Sequence, residues 1–142
     1  HATADFSFLD TILFHRDVYF KTLRAIEDSK EILTDIEMVK TGINKKLASK
    51  FDIKIKCFIN DPLVVEEAKI KGCSKAAVGI AKGINENTGI IVIGNAPTAL
   101  IKTIEILKNY PISKIPVVIG MPVGFVNALE SKLLLSLQDK IP

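Results

Sequence analysis

The chain contains no tryptophan, two tyrosines, two histidines and two cysteines. Each scarcity excludes something. Nucleic-acid binding is best supported by clustered basic residues interleaved with aromatics. Aromatics are 6% here and the lysines are scattered, so no nucleic-acid partner is expected. Cys57 and Cys73 make neither a disulfide framework nor a close metal-ligand spacing. They read as buried thiols of a reducing compartment, and no metal site is expected. No apolar run approaches the length of a bilayer span, so no membrane partner is expected. No signal-peptide pattern opens the chain, and a cytoplasmic location is expected. The first residue is His rather than Met, which suggests a piece of a longer protein. Neither GxGxxG after a first strand nor GxxxxGK[ST] occurs, which argues against a nucleotide binder.

What is present is a chain of 142 residues, 48% hydrophobic, with a net charge of +3. That is enough for one domain with a real core. The mild positive charge suits an anionic small molecule as well as it suits nothing in particular. A helix is predicted over 17–28, with Val18, Leu23 and Ile26 inward and Asp17 as its cap. Ile32 to Asp35 reads as a strand. A helix over 37–50 places Val39, Ile43 and Leu47 at four-residue spacing, with Gly42 weakening it. Residues 53–59 form a strand whose Lys54 and Lys56 alternate with apolar residues, as near a sheet edge. Pro62 opens a helix that ends at Gly72, a left-handed C-cap. Ser74 caps the next helix, which ends near Gly83.

Ile90 to Ile93 is a fully apolar strand. The helix after it begins at Pro97 and turns Leu100, Ile104 and Leu107 inward. Ile115 to Ile119 is a last strand. Val126, Leu129, Leu133 and Leu137 then recur at helical spacing as a core-facing stripe. The repeated strand–helix order predicts an α/β fold: a mostly parallel sheet flanked by helices on both faces, one three-layer domain over residues 1–142.

Ligands of such sheets bind beyond the carboxyl ends of the strands. Two turns stand there, residues 94–98 (Gly-Asn-Ala-Pro-Thr) and 120–124 (Gly-Met-Pro-Val-Gly). Their backbone N–H groups favour a carboxylate or phosphate. Taken singly each is an ordinary strand-to-helix connection; two on one edge weigh evenly between connection and site. His15 reads as a solvated surface residue, and His1, from the residues alone, as a chain terminus. Glu130 reads as flank or pocket, Met38 as packing, and Asp35 as the cap of the helix after it.

Residues 93–100 (Ile-Gly-Asn-Ala-Pro-Thr-Ala-Leu) and 120–126 (Gly-Met-Pro-Val-Gly-Phe-Val), followed by Glu130, Ser131 and Lys132, closely resemble the precorrin-8X methylmutase family. In the anaerobic route the family acts as cobalt-precorrin-8 methylmutase. His1-Ala2 is similar to its catalytic His-Ala motif. Asp35, Met38, Val39 and Gly42 match its Asp-x-x-Met-Val-x-x-Gly segment, and residues 73–77 its Ala-Ala helix start. The likeness runs through essentially the whole chain.

The resemblance implies a homodimeric isomerase of cobalamin biosynthesis that moves a methyl group from C11 to C12 of a corrin macrocycle. It implies His1 as the proton donor and acceptor. It also implies substrate contacts at Thr3, Asp35, Met38, Val39, Gly94, Asn95, Thr98, Met121, Pro122, Gly124, Glu130 and Ser131. No cofactor is implied, and any cobalt arrives within the substrate. The alternative is a corrinoid-binding protein of the same fold without catalysis. Family members continue beyond both ends of these residues, so segments at both ends are expected to be lacking. Asn127 stands where the family usually has Gly.

Overall fold

Four short runs of apolar and β-branched residues pair side by side in the computed structural model, which describes residues 4–142. They are β1 (Glu31–Thr34), β2 (Ile55–Cys57), β3 (Thr88–Ile93) and β4 (Val117–Gly120). All pairs are parallel, in the order β2-β1-β3-β4. The described residues form eight α-helices: α1 (Phe8–Thr11), α2 (Val18–Glu27), α3 (Glu37–Gly42), α4 (Lys45–Lys50), α5 (Pro62–Lys71), α6 (Lys75–Gly83), α7 (Pro97–Lys108) and α8 (Ala128–Ser136). The expected α/β class is what forms.

Alternation along the strands feeds two cores. Ile90, Val92 and Val117 join Ala25 and Val18 of α2 on one face. Ile91, Ile93, Leu33 and Val118 join Ile80 of α6 and Leu100, Ile104 and Leu107 of α7 on the other. The result is three layers, with the larger core on the α6–α7 side. Leu100, Ile104 and Leu107 are fully buried, as their spacing predicts. Each such side chain contributes about 1.5–3 kcal/mol by transfer from water. β2 is an edge strand, and Lys56 on it pairs with Glu31 of β1 at 2.7 Å.

Local signals set the helix ends. Gly72 closes α5 at φ 60°, and the Ser74 hydroxyl accepts from the Ala77 N–H at the start of α6. Four expectations are corrected. Asp17 makes no side-chain cap bond to α2, and Leu23 is partly exposed while Ala25 is buried. The helix expected over 37–50 breaks after Gly42, where Asn44 is extended and its side chain caps α4 through the Leu47 N–H. Ala48 rather than Leu47 then faces inward.

The third correction concerns α8. It begins only at Ala128, and the stripe of Val126, Leu129, Leu133 and Leu137 faces outward; Ala128 and Ser131 are the buried positions. The side of the helix that carries Leu135 approaches β4 closely. A β-carbon on Gly120 would already stand 2.5 Å from a Leu135 methyl. Fourth, Asp35 does not cap α3. The N-cap there is Ile36, with no side-chain bond.

Candidate functional site

From β1 the chain runs outward to β2, then returns past β1 to β3 and on to β4. The order therefore reverses between β1 and β3. In sheets of this kind the carboxyl ends of the two strands at the reversal frame a crevice. Asp35 follows β1 directly, and Gly94 follows β3.

The Asp35 side chain crosses that crevice. One carboxylate oxygen accepts from the Gly94 N–H at 3.2 Å. The other accepts from the Asn95 N–H at 2.9 Å and the Ala96 N–H at 2.7 Å. Asp35 is 2% exposed. Successive backbone N–H groups make an anion-binding concavity, and here the protein fills it with its own carboxylate. Hydrogen bonds to a charged group contribute about 1.5–3 kcal/mol each. Those three amides are thus occupied from within the chain, which, of the two readings weighed for the turn 94–98, favours the connection over the free anion site.

Val39, on the first turn of α3, packs against the same place. A β-carbon on Gly94 would meet the Val39 Cγ2 at 2.7 Å, so only glycine lets α3 lie this close. Met38 beside it is exposed. The turn after β4 is tied in through the Met121 N–H, which donates to the Ile93 carbonyl at 2.8 Å. Met121 is exposed, Pro122 buried, and Gly124 has φ 128°. Asp35, Val39, Gly94, Asn95 and Met121 are therefore brought together at one edge.

Thr98 opens to solvent at the start of α7, with its hydroxyl 2.6 Å from that of Ser74. Ser74 also accepts from Ala77. Two hydroxyl protons serve one mutual bond, so one proton stays available to a ligand oxygen. Sequence reasoning read Ser74 only as a cap; its meeting with Thr98 comes from the packing of α6 on α7. Cys57, at the end of β2, is half-buried, whereas Cys73 is exposed, which corrects the reading of both as buried thiols. Burial pushes the Cys57 thiol upward and the Glu37 carboxylate pushes the same way, against hydrogen bonds from Ile59 and Thr34.

Other residues are not gathered. Ser131 is 1% exposed and its hydroxyl donates to the Ala128 carbonyl, an internal bond. Glu130 is exposed on the first turn of α8. His1 and Thr3 lie outside the described residues. Among the described residues no three His, Cys, Asp or Glu side chains group as for a metal ion. A shallow groove of about 420 Å³ lies elsewhere, lined by Asp17, Phe20, Lys21, Leu23, Arg24 and Glu27. No helix of the described residues is long and apolar enough to cross a membrane.

Residues 1–142 match the family described as CbiC, precorrin-8X methylmutase. The chain is 42% identical over 133 residues to the cobalt-precorrin-8 methylmutase of Priestia megaterium, covering 93% of this chain and 59% of that protein. It is 42% identical over 134 residues to the enzyme of that name from Salmonella typhimurium, covering 93% and 61%. A solved structure called a precorrin-8X methylmutase related protein superposes with a TM-score of 0.88 at 31% identity, covering 97% of this chain and 72% of that one. The chain spans about three fifths of the length of the curated relatives it matches.

Proposed function

The chain belongs to the precorrin-8X methylmutase family, and from that premise we propose that the protein is a corrin-ring methylmutase. The observation that carries the reading is the match across residues 1–142, and it is supported by the meeting of Asp35, Val39, Gly94, Asn95 and Met121 at the carboxyl edge of β1, β3 and β4. The reaction moves a methyl group from C11 to C12 of precorrin-8 or cobalt-precorrin-8. The bond to C11 breaks and the bond to C12 forms within one molecule, giving hydrogenobyrinic or cobyrinic acid. Atoms and electrons balance inside the substrate, so no cofactor is assigned and any cobalt belongs to the substrate. Such a rearrangement asks for shape, exclusion of water and one positioned proton donor. His1 is assigned that role, as the group that gives and retakes a proton on the ring.

Substrate contacts are assigned to the rim around the crevice: Met38 and Val39 on α3, Thr98 on α7, and Met121 and Gly124 after β4. Thr3, Pro122, Glu130 and Ser131 are assigned from the family motif alone. A broad planar ring needs a wide apolar cleft, and this edge supplies one wall. A second copy of the chain supplies the other, docked on the exposed apolar residues Phe125, Val126, Leu129, Leu133 and Leu137. A cytoplasmic location fits a small-molecule enzyme with these free cysteines.

The test is a visible-absorbance titration of the full-length protein with hydrogenobyrinic acid, then a methyl-shift assay with and without His1→Ala. Wild-type binding and turnover, with His1→Ala retaining the coloured ligand but losing turnover, support the reading. Binding with no turnover in the wild type replaces it with a corrinoid carrier. Absence of both overturns it.

A further inference from the structure

We infer that Asp35 is a positioning residue of this site: its buried carboxylate holds the turn 94–96 in place across the strand reversal and keeps the acid groups of the substrate out of it. The inference rests on the methylmutase reading and deepens it. Three observations carry it. The carboxylate spends both oxygens on three successive amides, at 3.2, 2.9 and 2.7 Å. It comes from a different strand, 59 to 61 residues away in the chain, so it fixes one side of the crevice relative to the other. The N-cap residue of α7 is Ala96, which brings no side-chain acceptor of its own.

The consequence reaches the rim. Asp35 is followed within four residues by Met38 and Val39, and Val39 packs on Gly94. The far end of the turn is Thr98, which meets Ser74. Moving the turn thus moves both the α3 wall and the hydroxyl pair. A substrate with several carboxylates would otherwise be drawn to the amides 94–96. With these filled, its acid groups are left to donors such as the Ser74–Thr98 pair.

Two measurements test this on the full-length protein. In amide NMR of the wild type titrated with hydrogenobyrinic acid, Thr98 and Met121 should shift. The Gly94, Asn95 and Ala96 amides should keep their shifts and their protection from exchange. In the Asp35→Asn variant, the folded fraction should show KM for the substrate and Kd for the product raised about tenfold or more, as for a misplaced binding wall. A merely structural role lowers the amount of folded enzyme and leaves KM unchanged. Loss of protection at 94–96 on binding, or an unaltered KM and Kd in folded Asp35→Asn, overturns the inference while the methylmutase reading stands. A variant that does not fold leaves the wild-type NMR result decisive. A wild type in which no amide responds to the product overturns both.

Discussion

Asn127 shows what a single residue must do. It has φ 60°, in the left-handed region that L residues avoid. Glycine enters that region freely and asparagine is among the side chains that tolerate it. The asparagine here therefore answers a backbone demand that glycine would meet equally well. Asn127→Ala should lower stability by about 1–2 kcal/mol in urea unfolding, while Asn127→Gly should stay within about 0.5 kcal/mol of wild type. Equal losses in both would show that the asparagine side chain matters and the backbone angle does not. Such angles were partly legible. Gly72 announces its C-cap because the signal sits within one turn of chain. Asp35 was legible as a short acidic residue before a helix, but not as the partner of amides 59 to 61 residues away. Nothing local distinguishes an aspartate that caps the next helix from one that reaches across a sheet.

At the scale of elements, the lesson of α8 is that periodicity finds a stripe and not its covering. Leu129, Leu133 and Leu137 are exposed together, while Val126 lies before the helix and outside the expected stripe. Those leucines face outward while Ala128 and Ser131 are buried and Leu135 lies against Gly120. The α3–α4 break had a signal in Gly42 and Asn44, yet four-residue spacing across it concealed the boundary. The meeting of α3 with β3 makes a sharper test. Gly94→Ala places a carbon 2.7 Å from the Val39 Cγ2, and overpacking of this kind costs about 1–3 kcal/mol. Val39→Ala in the same molecule should recover a large part of that loss. A double-mutant cycle in urea reads the coupling directly. Strict additivity of the two changes would show that Val39 is not what forbids a side chain at position 94.

For the whole molecule, the class of fold was legible from the strand–helix order, but the strand order was not. No local residue states which strand β1 will take as its second neighbour. The reversal between β1 and β3 nevertheless decides where the crevice lies, and Asp35, Val39, Gly94, Asn95 and Met121, from distant parts of the chain, meet at that edge. The exposed apolar face around α8 belongs to this scale as well. If a second copy covers it, Phe125→Glu with Leu129→Glu should weaken self-association at least tenfold in sedimentation equilibrium, with the circular dichroism unchanged. Substitutions at the buried centre of an interface commonly cost about 2 kcal/mol or more. Unchanged association would exclude this face as the contact.

The central position of β1 has a consequence for how the protein is made. One side of β1 pairs with β2, which follows it closely, while the other waits for β3. Thr34 leaves the ribosome 59 residues before Ile93. At bacterial-to-eukaryotic rates of roughly 5–20 residues per second, that interval is about 3–12 s. For its duration an apolar strand carries an unpaired edge, the kind of surface that invites pairing with another chain. Of the two inner strands of the finished sheet, β1 is thus the one that waits longest for its second neighbour during synthesis.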